Sequence, residues 1–406
     1  MDGGMSSLSR SSRRETESHS VLILFCILTL LLGTVPVLFN FAPLPAFDFF
    51  RMHPELRLAG KGLLWVIVAL GIIAVGRVDT DTGTAKLVRY AGFVLVAALL
   101  TDVHYFTVDI KQMKWQIEQY GQILAHTCHP PDQYRFVPQG TLWWLNLCQG
   151  DFVSGYLAYR FFFTFLVCLA IYKFAHLYLP SRDAALAVLV YAAFYPLSTR
   201  YYFGNLLDPM SHAVMIATLR YCRLQKFQVV FWLFVLGVFI KETMLVMAPC
   251  YWLMSREENW LRDRPQAQRA VLLGLVGVLA FLLCRMPFGF QASFQSLNRT
   301  PDLMIYANLG LPGAQIGSIV PLFQRYLHPV LFIFMWLPLI IWRKQWLEHS
   351  LFRTAIYFAV VIYVVNLLFG WNYESRNFIP PFVVLVVCTL VVLNRLTARA
   401  GSAASP

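Results

Sequence analysis

Residues 227–242 read FQVVFWLFVLGVFIKE, an almost wholly apolar run closed by the charged pair Lys241-Glu242. An ionisable pair at the edge of such a run marks the point where a membrane helix meets the bilayer surface, since a charge in hydrocarbon costs several kcal/mol unless paired or hydrated. The pattern recurs along the chain. Asp102-Val103-His104-Tyr105 closes one apolar segment, and Glu374-Ser375-Arg376-Asn377-Phe378-Ile379-Pro380-Pro381 opens the last. Of 406 residues, 58% are hydrophobic and 13% charged, with a mean hydropathy of +0.59. A hydrocarbon core of about 30 Å takes about 20 apolar residues per helix, so the composition excludes a large soluble domain and predicts an all-α polytopic membrane protein.

Apolar segments lie near 21–42, 62–76, 88–106, 157–179, 183–198, 208–222, 227–241, 244–255, 270–286, 327–342, 354–370 and 378–394. They predict about twelve transmembrane helices in a single domain over 21–396. A polar, cytoplasmic stretch at 1–20 precedes it, and a disordered Ala-Gly-Ser tail at 397–406 follows. Val21 to about Phe41 is too long for a cleaved leader and reads as a retained signal anchor. With the N-terminus inside, the short inner loops collect Arg77, Lys86, Arg89, Lys173, Arg182, Arg220, Arg223, Lys226, Arg256, Arg262, Arg264, Arg269, Arg343, Lys344 and Arg353. That distribution obeys the positive-inside rule. It also accounts for the net charge of +12 without nucleic acid as a partner.

Two long outer loops remain, at 107–156 and 287–326. In the first, Ile110, Met113 and Ile117 interleave with Trp115 and Tyr120 at the spacing of an amphipathic helix on the membrane surface. Cys128 and Cys148 share this loop, and an oxidising compartment would allow them to pair. Asn298-Arg299-Thr300 fits a glycosylation acceptor, followed by Pro301. No P-loop, dinucleotide-binding glycine pattern, zinc-binding helix or Ser-His-Asp arrangement is present, and these residues assign neither a metal site nor a cofactor.

The ionisable residues of the outer side are therefore the candidates for chemistry. Asp102 is placed to act as a general base or simply to end a helix, and Asp109, Glu118 and Asp132 compete with it from the same loop. His104 and His129 accompany them. Tyr134 and Arg135 are either a headgroup-level anchor or a phosphate contact. Lys241 and Glu242 either pair structurally or present the lysine to an anionic headgroup. Glu374 and Arg376 alternate in a short segment, so both can face one cavity, with Arg376 either a phosphate ligand or half of an interhelical salt bridge.

Taken together and in order over about 100–380, these stretches resemble the GT-C superfamily of multispanning glycosyltransferases. Asp102-Val103-His104-Tyr105 looks like the Asp-Glu-x-His-Phe motif of its protein O-mannosyltransferase branch, with Thr101 at the first acidic position. His129-Pro130-Pro131 is similar to that branch's His-Pro-Pro, here followed by Asp132. Tyr134-Arg135 with Pro138, Lys241-Glu242-Thr243 and Glu374-x-Arg376-x-Phe378-x-Pro380 have counterparts too. An extra hairpin at about 21–76 departs from the family pattern. The resemblance implies inverting sugar transfer from a polyprenyl-phosphate donor to an acceptor on the outer face. Asp102 would serve as base, and Lys241 and Arg376 would stabilise the departing phosphate. The partners it implies are the lipid-linked sugar, membrane lipids and an acceptor of unknown identity. It favours a bacterial inner membrane over the endoplasmic reticulum, with both termini cytoplasmic. A transporter or lipid flippase, or a non-catalytic membrane scaffold, are the rival readings of the same charges.

Overall fold

The computed structural model describes residues 83–105, 110–128, 134–149, 151–199, 207–254, 260–288, 349–369 and 375–403. Among them there is no strand. The α-helices are α1 (Gly83–His104), α2 (Ile110–Leu124), α3 (Phe136–Gln149), α4 (Phe152–Ala175), α5 (Ser181–Thr199), α6 (Leu207–Arg223), α7 (Phe227–Ile240), α8 (Cys250–Leu253), α9 (Arg264–Arg285), α10 (Ser350–Phe369) and α11 (Ile379–Ala403). Five stretches, Ala85–His104, Phe152–Ala175, Arg264–Arg285, Ser350–Leu368 and Arg376–Arg395, are long and apolar enough to cross a membrane. The chain is thus an all-helical integral membrane protein across the residues described. The expected helices near 21–42, 62–76 and 327–342, the signal anchor and the Asn298 acceptor lie outside them.

Helix starts follow local chemistry. Asp151 caps α4 by accepting from the Ser154 backbone N–H at 2.9 Å, which satisfies one of the donors a helix leaves open. Its hydrogen bonds to Ser154 also hold this exposed carboxyl below its ordinary pKa. Asp263 caps α9 through Gln266 N–H at 3.3 Å. Pro138, Pro209, Pro265 and Pro380-Pro381 all fall in first turns, where a missing N–H breaks no intrahelical bond.

Packing follows the apolar stripes. α4 lies against α1, α3, α5 and α6, α7 lies between α6 and α9, and α11 packs on α5 and α10. Central α11 buries residues all round, as a helix apolar on every side must. On α9 the inward positions are Leu273, Gly277, Ala280 and Cys284, one stripe at helical spacing. Leu272, Leu275, Val278, Leu279, Leu282 and Leu283 point outward, as lipid-facing residues should. The small inward residues let α7 close in. A Cβ on Gly277 would stand 2.6 Å from Phe234 Cε1 and 2.8 Å from Leu245 Cδ2.

Four features differ from expectation. Residues 244–255 do not form one helix. Lys241 is extended at φ −157°, ψ 129°, Glu242–Met247 form a 3-10 turn, and only Cys250–Leu253 is α-helical. Pro249, which lacks an N–H, stands between the two pieces. Second, α1 begins at Gly83, so Lys86 and Arg89, expected in a loop, are helical. Third, α2 forms but turns Met113, Gln116, Tyr120 and Ile123 toward the protein, leaving Trp115 and Ile117 exposed. Met113 and Tyr120 join Leu142, Tyr156, Tyr159, Met210 and Ile240 in a separate core under α2 and α3, so α2 is seated on the bundle end. Fourth, α11 reaches Ala403, into the stretch expected as a tail. Cys128 is buried, while the Cys148 side chain lies outside the described residues.

Candidate functional site

Successive helices bring their charged ends to one end of the bundle, the end capped by α2 and α3. Asp208 is the second residue of α6, Lys241 follows α7 directly, and Arg376 stands in the 3-10 turn that leads into α11. The Asp208 carboxylate receives both cations. Lys241 Nζ is 3.3 Å from Oδ1, and Arg376 Nη1 is 3.1 Å from Oδ2. All three side chains are nearly buried, at 8–12% exposure. Two positive charges on one negative leave this trio net positive.

An amide relay orients the lysine. Lys241 Nζ also donates to Asn377 Oδ1 at 3.0 Å. Asn377 Nδ2 donates to Asn366 Oδ1 at 3.0 Å, and Asn366 Nδ2 donates to the Ile362 carbonyl at 2.9 Å. The lysine is therefore positioned from α10 and the start of α11 as well as from α6. One turn beyond Asp208 on the same face of α6 is His212, within electrostatic reach of Asp208, Lys241 and Arg376. Its Nε2 is buried and, among the described residues, has no hydrogen-bond partner.

A second ion pair joins α3 to the broken segment. Arg135, just before α3, binds Glu242 in bidentate fashion, with Nε donating to Oε2 at 3.1 Å and Nη2 to Oε1. This fork-to-fork geometry is the stronger kind of charge-assisted hydrogen bond. Beside it, Tyr134 is buried under Arg285, whose guanidinium carbon is 4.6 Å from the ring centroid. Arg285 also lies 3.6 Å over Phe281, so the end of α9 grips the entry to α3 by cation–π contact.

On the other flank, Arg160 is 1% exposed. Its Nε and Nη2 donate to Tyr156 Oη at 3.1 and 2.7 Å, and Nη1 donates to Tyr195 Oη at 3.4 Å. The Tyr195 ring is 6.2 Å from that of His104. The end of α1, carrying buried Asp102 and His104, thereby adjoins the same polar layer. Tyr159, one residue before Arg160, buries a hydroxyl that has no partner among the described residues.

Of the residues singled out from the sequence, Asp102, His104, Tyr134, Arg135, Lys241, Glu242 and Arg376 all lie at this end. Asp109, His129, Asp132 and Glu374 lie outside the described residues. For Lys241, Glu242 and Arg376 the structure displays the pairing alternative, each on a carboxylate or guanidinium from another element. Asp208 is the group that sequence reasoning undervalued, together with His212, Arg160 and Arg285. An acid in the first turn of a helix is common, and nothing local announces two distant cations. Among the described residues no group of three or more His, Cys, Asp and Glu side chains could hold a metal ion. Comparison of the chain with protein-family models, with curated proteins and with solved structures finds no match.

Proposed function

We propose that this protein is a membrane glycosyltransferase of the GT-C type, which passes a sugar from a polyprenyl-phosphate donor to an acceptor on the outer face. About twelve crossings, cytoplasmic termini and a bacterial inner membrane belong to the same reading. The observation that carries it is the sharing of Asp208 by Lys241 and Arg376 at a bundle end that also holds Asp102, His104 and His212. Two cations fixed by a carboxylate and an amide form a preorganised electrostatic site, and such a site acts where negative charge develops.

In this mechanism the acceptor hydroxyl gives its proton to Asp102 as its oxygen bonds to the sugar's anomeric carbon. The bond from that carbon to the phosphate oxygen breaks, and its electron pair leaves with the lipid phosphate. Lys241 and Arg376 stabilise that charge, the phosphate sharing them with Asp208. Inversion follows from a single displacement, and the donor brings its own leaving group.

The test is turnover of a radiolabelled polyprenyl-phosphate sugar by the full-length protein in lipid nanodiscs, with cell-envelope extract as acceptor. Asp102→Asn should lower turnover by about 10²–10⁴-fold with the fold intact. Arg376→Ala should raise the donor concentration needed for half-maximal rate. Release of no sugar from any lipid-linked donor, with the wild-type protein folded, would dismiss the reading.

One observation favours a transporter or lipid flippase instead. The segment after α7 is discontinuous, with a 3-10 turn and a single α-helical turn in place of a crossing, and broken helices build transport sites. Movement of a fluorescent lipid across proteoliposomes at a rate that tracks protein content, without sugar transfer, would select that reading.

A further inference from the structure

The opposite, basic end of the bundle carries a group that the proposed reaction does not use. Arg89, in the second turn of α1, is 2% exposed. Its Nη1 donates to the Tyr172 hydroxyl at 2.5 Å, and the guanidinium carbon is 5.2 Å from that ring's centroid. Nε is buried and, among the described residues, has no hydrogen-bond partner. Lys173, in the last turn of α4, extends over Tyr90 and Tyr172 at 5.6 and 6.0 Å, and His176 stacks on Tyr172. Tyr172 Oη in turn reaches Ser181 Oγ, in the first residue of α5, at 3.4 Å. A guanidinium, an ammonium and the N-terminus of a 19-residue helix thus surround one tyrosine side chain. The acid in that helix's first turn, Asp183, accepts from Asn394 Nδ2 at 2.6 Å. Among the described residues no carboxylate forms an ion pair with Arg89 or Lys173.

A buried guanidinium needs a counter-charge, since an aromatic face returns much less than desolvation takes. We propose that a phosphate group, a monoester or the diester of a phospholipid headgroup, binds between α1, α4 and α5. Arg89 is its buried counter-charge, and Lys173, the Tyr172 hydroxyl and the first turn of α5 are its further donors. A planar guanidinium matches phosphate in two-point geometry, and a helix N-terminus attracts the same anion. The depth fits a headgroup. Arg89 lies one turn past Ala85, where the apolar span begins, or about 6 Å along the axis. The site stands independently of any sugar transfer at the other end.

The full-length protein, delipidated in detergent, is examined by native mass spectrometry and thermal unfolding against three probes: dioleoylphosphatidylglycerol, dioleoylglycerol and inorganic phosphate. The phospholipid should give a retained adduct and a raised midpoint, and the diacylglycerol, which has no phosphate, neither. Arg89→Met should raise the half-saturating phospholipid concentration by about tenfold, the scale of one lost charge-assisted contact. Lys173→Gln, at a half-buried position, should move it in the same direction and serves as the reading if Arg89→Met is not recovered folded. A response to inorganic phosphate equal to that of the lipid supports the site and assigns it to the free anion. Equal binding of phospholipid and diacylglycerol, or affinity unchanged in the folded variants, overturns the proposal.

Discussion

Lys241 Nζ and Asp208 Oδ1 stand 3.3 Å apart although 33 residues separate them in sequence. The chain descends α6 and returns along α7 so that the end of one helix meets the start of the other. Arg376 holds the second oxygen of the same carboxylate at 3.1 Å, so the acid and its two bases are not equivalent.

Removing the acid leaves two cations facing each other, whereas removing the lysine leaves Asp208 paired with Arg376. Asp208→Leu should therefore destabilise by about 3–5 kcal/mol, the scale of an uncompensated buried charge, and Lys241→Met by clearly less. The double variant should recover part of the Asp208→Leu loss. Thermal midpoints in detergent measure all three. Losses of equal size that simply add would show that the three groups do not act as a unit.

Arg135 and Glu242 tie α3 to the segment after α7 through two hydrogen bonds. Glu242→Gln keeps the shape but removes the charge, and should lower stability by about 1–3 kcal/mol. Arg135→Lys should also cost stability, because an ammonium cannot present the two-pronged geometry. If the lysine variant unfolds at the wild-type midpoint, the bidentate contact contributes nothing measurable.

Two glycines one turn apart on α9 separate packing from helix propensity. A Cβ at Gly277 meets Phe234 and Leu245, while one at Gly274 meets nothing within 4 Å. Gly277→Val should destabilise by about 1–3 kcal/mol through overpacking. Gly274→Ala should be neutral or stabilising by up to about 1 kcal/mol. Thermal scans of the two variants side by side decide it, and the same direction of change in both would refute the close-approach account of the α7–α9 contact.

The sequence revealed the features that interrupt an apolar run. Lys241, Arg376 and Asp102 stood out because each ends or opens a hydrophobic segment, and the described helices mostly lie within a few residues of the hydrophobic boundaries. That these charges could pair was legible, but not with which partners. Asp208 finds its partners 33 and 168 residues away, and no local pattern encodes such distances. Arg160 and Arg89 were obscured for another reason. Within or beside a membrane helix an arginine reads as a topology signal, and only packing shows that tyrosine hydroxyls receive them. The break at 242–253 was legible in part, since Pro249, like Pro196 and Pro209, suggests a kink or re-entrant piece, but the extended backbone at Lys241 is a main-chain fact that hydropathy does not count.

Two exposed positions at opposite ends of the bundle report the orientation of the chain in the membrane. Lys114 lies on α2, its side chain 93% exposed, on the helix that caps the end where Asp208, Lys241 and Arg376 meet. Leu261 is 68% exposed in the turn that leads into α9 from the opposite end. That opposite end also carries Lys173, Arg220 and Arg223 in the last turns of their helices. If the basic end faces the cytoplasm, as the positive-inside rule requires, a membrane-impermeant maleimide added to intact cells should label Lys114→Cys and spare Leu261→Cys. Permeabilised cells should label both. The unaltered chain, labelled in parallel, gives the baseline from its own eight cysteines. Labelling of Leu261→Cys alone from outside would invert the orientation. It would also turn the Asp208 site toward the cytoplasm, where a sugar acceptor would have to be cytoplasmic.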